Sequence, residues 1–194
     1  MKKLFPVTII ICAILASGCQ QGYKTADECN SDAVSLLGKA EGVMASAEQI
    51  RFWINNTPGH RSEKEKLEKK LSAMLDLAAG YLYDANKIEP TWYKIPAALA
   101  RCENARGNPE TAVKFALDAI KINPSYHVVY QTLGTSYMIL GSQSDKQGDP
   151  SKRNSYYHKS IAAYEQFIKM RKDDLRLTTL RINIILMKKA MGED

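Results

Sequence analysis

Two prolines, Pro90 and Pro124, stand 34 residues apart, and what lies between them limits the fold more than any other feature. A helix-like run extends from Tyr93 to Arg106. Gly107-Asn108-Pro109 interrupts it, and a second run follows from Glu110 to Ile122. Proline stops a helix because it lacks an amide hydrogen and clashes with the preceding turn; Gly-Asn-Pro is turn punctuation. The stretch reads as helix, tight turn, helix, with similar half-units on both sides.

Before Pro90, residues Ser31 to Asn55 carry Val34, Leu37, Val43, Met44, Ala47, Ile50 and Ile54 near helical spacing. Gly38 and Gly42 each cost this helix about 1 kcal/mol against alanine, and they read as sites of close helix packing. Asn56-Thr57-Pro58-Gly59 is a stop. Ser62 and Glu65 have capping-box spacing, so the next helix is expected to start at Ser62. Its run of mixed charge, Glu63 to Lys70, reads as a solvated face. Leu71, Leu75, Leu77, Ala78, Leu82, Ala85 and Ile88 continue it.

The small residues carry a resemblance. In a frame that begins at Tyr93, Ala100, Ala112 and Ala119 fall where tetratricopeptide repeats keep small residues, and Pro124 falls on their terminal proline. Leu99 falls on a usual leucine. The same frame places Ala78, Ala85 and Pro90 before this unit, and Tyr130, Leu133, Gly134 and Tyr137 after it. The chain thus resembles that family. Pro96, Glu103 and Ala116 depart from the pattern, standing where aromatics are usual; Trp92, Tyr93 and Phe115 are candidates for the missing bulk. The resemblance implies an all-α, right-handed superhelix of antiparallel hairpins with a C-terminal capping helix.

The second unit is interrupted. Its first helix, Tyr126 to Leu140, is expected to end at Gly141, and the matching second run begins only at Ser160. The polar residues 142–155 read as an inserted surface loop, either a binding element or one merely tolerated. Asp173 or Asp174 is placed to cap a last helix, Leu175 to Met191, with Leu177, Leu180, Ile184 and Met187 inward. Ile182, Ile185 and Leu186 widen its apolar surface; deeper burial is preferred to a docking face.

The N-terminus reads as an export signal: Lys2 and Lys3, then an apolar Phe5 to Ala16 too short to span a bilayer, which needs about 20 residues. Leu15-Ala16-Ser17-Gly18-Cys19 resembles the bacterial lipobox. That resemblance implies cleavage after residue 18, lipidation of Cys19 and stable membrane attachment. With Gln20 next, it further implies an envelope protein facing the periplasm, at the outer membrane. Residues 1–18 are then signal peptide, 19–30 a tether, and 31–194 the helical domain. A tether of nine residues from Gln20 to Glu28 reaches at most about 30 Å. Cys29 and Cys102 remain in the mature chain, in an oxidising compartment. A disulfide between them and two separate thiols, Cys102 buried as a small apolar residue, both stand.

No pattern for chemistry emerges. His60, His127 and His158 lack metal-ligand spacing, and there is neither a nucleophile elbow nor a phosphate loop. No catalytic residue, metal or cofactor is expected. The formal charge of +6 falls to +4 without Lys2 and Lys3, which is no nucleic-acid footprint. In tetratricopeptide proteins the first helices of successive repeats line a concave groove. Carried over, those places hold Lys94, Ala97, Arg101 and Asn104, then Val128, Gln131, Thr135 and Met138. Ala97 and Gln131 depart from the family's carboxylate clamp, so Lys94, Arg101, Asn104, Val128, Gln131, Thr135 and Met138 are taken only as a general partner-binding groove. The function implied is a scaffold for protein partners of the cell envelope, such as components of a secretion, pilus or outer-membrane assembly. A small-ligand or transporter-accessory protein is the alternative, an enzyme the third, and the short repeat array leaves room for a homodimer.

Overall fold

The computed structural model describes residues 24–56, 61–171 and 177–193. Among the described residues all regular structure is helical: a 3-10 turn at Ala26–Glu28 and seven α-helices. These are α1 (Ser31–Asn56), α2 (Arg61–Ile88), α3 (Lys94–Arg106), α4 (Pro109–Ile122), α5 (His127–Lys146), α6 (Pro150–Met170) and α7 (Leu177–Met191). The chain divides into two compact units, residues 1–95 and 96–194.

In the first unit α1 and α2 pack along each other, antiparallel because the connection is short. Their buried residues alternate three and four apart: Ala33, Leu37, Ala40, Met44 and Ala47 on α1, and Leu75, Ala78, Leu82 and Ala85 on α2. That is the spacing of a coiled-coil seam, here filled largely by alanine. Gly38 and Gly42 take no part in it. A Cβ at either would meet nothing within 4 Å, so the expected close approach lies elsewhere. Ser62 is inside α2 rather than its cap, and Glu65 accepts instead from Arg61 at 3.3 Å. The described residues before α1 are fastened down. Lys24 pairs with Glu89 at 2.9 Å, Thr91 donates to the same carboxylate at 2.6 Å, and the Thr25 amide donates to Glu28 at 2.8 Å.

In the second unit the α3–α4 turn is closed by Gly107, which has φ +86°. Its amide donates to the Asn104 carbonyl (3.2 Å) and the Asn108 amide to that of Glu103 (2.9 Å), the paired bonds of a glycine-terminated helix. Glu103, only 1% exposed, makes an internal polar tie: its carboxylate accepts from Asn108 Nδ2 at 2.7 Å and Arg106 Nη1 at 2.8 Å. Pro96 sits in the first turn of α3, where a missing amide hydrogen costs nothing.

The expected loop over 142–155 is not a loop. α5 continues through Lys146, α6 begins at Pro150, and only Gln147-Gly148-Asp149 lie between. The turn repeats the chemistry of the first: Gly148 has φ +73°, and the amides of Gly148 and Asp149 each donate at 3.0 Å to Asp145 and Ser144. Asp149 then caps α6 by accepting from the Lys152 amide at 2.9 Å. The added residues are shared evenly. α3 and α4 have 13 and 14 residues, α5 and α6 have 20 and 21, so each arm gains seven. Seven residues are close to two helical turns and add about 10 Å to each arm without rotating its inner face. Gly134 and Gly141 on α5 accordingly meet Tyr164 and Tyr157 on α6, one aromatic ring on each glycine.

Two cores fill this unit. Ala97, Ala100, Ala116, Ala119, Val129, Leu133 and Ala163 join α3, α4, α5 and α6, with Phe115 and Tyr130 packed at the margin. Tyr157, Ile161, Tyr164 and Phe167 of α6 form the second with Leu177, Leu180 and Met187 of α7. Ala116, like Ala112 and Ala119, is fully buried, and the partly buried Phe115 beside it packs against the same core.

Candidate partner-binding surface

The groove residues fall into two sets. Arg101 is exposed on α3, and Val128 and Gln131 are half-buried on α5, all within the second unit. Lys94, half-buried in the first unit, places its ammonium 5.8 Å from the centre of the Trp92 ring, within cation–π range.

Asn104, Thr135 and Met138 are used within the fold. Asn104 Nδ2 donates to Ser136 Oγ at 2.9 Å and to the Thr132 carbonyl at 3.3 Å, tying α3 to α5. Its Oδ1 is buried and has no hydrogen-bond partner among the described residues. Thr135 Oγ1 lies 3.1 Å from the Tyr164 hydroxyl, which reaches Met138 Sδ at 3.9 Å. Burial pushes the Tyr164 phenol up from its ordinary value of 10, against the pull of bonds to Thr135, Asn183 and Ser160. Of the other expected residues of the second unit, Arg101 is exposed and Val128 and Gln131 keep part of their surface accessible.

Cys19, the expected lipidation site, lies outside the described residues, as does His60. Cys29 is half-buried, Cys102 is buried, and no disulfide joins them among the described residues. Cys102 fills a position with no exposure on α3, a small apolar role. His127 Nε2 lies 3.3 Å from Arg171 Nη1, and the exposed His158 3.3 Å from Glu193. Among the described residues no three or more His, Cys, Asp or Glu side chains gather as for a metal, and no helix is long and apolar enough to cross a membrane.

Of the two expectations for Ile182, Ile185 and Leu186, the preferred one, deeper burial, is not met: all three are exposed. Phe52 and Trp53, at the end of α1, are also exposed. The signal for α7 was its excess of apolar residues. Eight large apolar side chains on a 15-residue helix exceed what one neighbouring helix can cover.

No protein-family model matches this chain, and no curated protein compared with it is significantly similar.

Proposed function

We propose that this chain is a lipid-anchored scaffold of the tetratricopeptide type, facing the periplasm from the outer membrane, and that it holds an envelope protein rather than acting as an enzyme. One observation carries the repeat reading. Ala100, Ala112 and Ala119 are all fully buried, and Pro124 follows the end of α4 two residues on. Small residues at those places let successive helices approach closely, which is what the repeat requires. The hairpin α5–α6 is then a second repeat with both arms lengthened, and α7 closes the array. The lipobox at residues 15–19 supplies the anchor in this reading, and anchoring raises the effective concentration of the partner.

The partner surface is Arg101 and Gln131 for backbone groups, with Val128 for apolar contact. A photo-reactive residue at Gln131, introduced into the full chain in cells, tests it. Capture of one discrete envelope protein, lost in Arg101→Glu, is the expected result. Capture of none under several growth conditions sinks the groove. Leaving residue 19 without acyl groups, read by mass, would separately remove the anchor.

A further inference from the structure

The outer face of α7 is apolar, and nothing among the described residues of the second unit covers it. At 3.6 residues per turn, Ile182, Ile185 and Leu186 stand opposite the buried Leu177, Leu180 and Met187. They are 51%, 62% and 58% exposed. The rim is basic: Arg181 and Lys189 are exposed, Lys188 is half-buried, and Leu177–Met191 contains no Asp or Glu. The charge extends beyond α7. Residues 150–194 hold ten basic and five acidic side chains, a net of +5, against +6 for the whole chain. On α6, Lys152, Lys159 and Lys169 are exposed with Glu165 the one acid of the helix.

We propose that this face of α7 docks on an anionic lipid surface. A second copy of the chain fits poorly: pairing two such faces would set Arg181, Lys188 and Lys189 against like charges. Three side chains also fall well short of the roughly 800 Å² per partner of a stable protein interface. A lipid surface demands neither shape complementarity nor opposed pairs. The apolar residues enter the boundary between headgroups and acyl chains, and the lysines and arginines gather anionic headgroups. The inference stands without the repeat groove; an anchor at Cys19 would only bring the face to its surface more often.

Hydrogen exchange of the full chain, followed over Leu177–Met191, tests this with vesicles of phosphatidylcholine and vesicles containing phosphatidylglycerol. The leader can hold the chain on either vesicle, so the readout is local protection of α7. The expected result is slower exchange of α7 on the anionic vesicles alone, reversed by high salt. Arg181→Gln/Lys188→Gln/Lys189→Gln should reduce the protection by about tenfold or more, and Ile182→Ser/Ile185→Ser/Leu186→Ser should abolish it. Five of the six positions are exposed and Lys188 is half-buried, and circular dichroism checks that each variant keeps its helices. Equal protection on both vesicles, no protection on either, or protection unchanged in both variants overturns the proposal. Protection of α7 by an acidic polypeptide, with none from anionic vesicles, also overturns it and makes the face a protein site.

Discussion

The ring of Tyr164 rests on the bare Cα of Gly134: a Cβ built there would lie 2.5 Å from two ring carbons. The ring has no room to retreat. Tyr164 is fully buried, its hydroxyl lies 3.1 Å from Thr135 Oγ1, and the neighbouring Ser160 donates to the Gly134 carbonyl at 2.7 Å. Gly134→Ala should therefore destabilise the second unit by about 1–3 kcal/mol, the usual cost of overfilling a packed core, seen as a lower denaturant midpoint. Gly141→Ala meets the ring of Tyr157, which lies nearer the surface and has more freedom to move, so its cost should be smaller. Equal costs at the two positions would contradict this account.

The same pair of contacts explains what the sequence showed and what it hid. Gly134 was legible as a small residue in a repeat frame. Gly141 was not, because a glycine after Leu140 followed by polar residues looks like a helix end. Yet the correct turn was written in the chain: Gly148-Asp149-Pro150 repeats the pattern of Gly107-Asn108-Pro109, with a left-handed glycine, a polar residue and proline at the start of the next helix. The polar character of residues 142–155 misled because a helical arm projecting from a hairpin is solvated on most sides and needs few apolar residues. The helical class and the buried alanines were visible because helical period and small-residue spacing are local. The engagement of Asn104, Thr135 and Met138 within the fold was not, since it depends on partners 26 to 32 residues away.

Asn104 separates a structural role from a binding one. Its amide links α3 to Ser136 and Thr132 while Ser136 keeps its own bond to the Thr132 carbonyl at 2.9 Å. Asn104→Ala should thus cost only about 1 kcal/mol, a typical net hydrogen bond. It should leave crosslinking from Gln131 intact. Loss of partner capture with unchanged stability would return Asn104 to the partner surface.

Glu89 makes the first unit sensitive to acid. Hydrogen bonds from Thr91, then from Lys24, hold its carboxyl below the ordinary value of 4.5. A carboxylate with a depressed folded value binds fewer protons in the native state. Its contribution is therefore present above about pH 4.5 and lost as the pH falls through the lower, folded value. Glu89→Gln should lower the melting temperature slightly at pH 7 and make no difference near pH 2. A variant with the same deficit at both values would show that Glu89 acts through shape rather than charge. The pair is near the surface, so the effect should shrink in salt.

The two cysteines should differ in reactivity rather than form a bond. Burial, with Glu89 nearby, raises the Cys29 thiol above its ordinary 9.0, so little thiolate is present near neutral pH. Cys102 has no exposure at all. In a chain with serine at residues 12 and 19, a thiol reagent should label Cys29 slowly at pH 7 and faster as the pH rises. Cys102 should react only once the second unit unfolds, giving a second phase that coincides with loss of helical signal in denaturant. A chain in which neither residue reacts until a reductant is added would establish the disulfide instead.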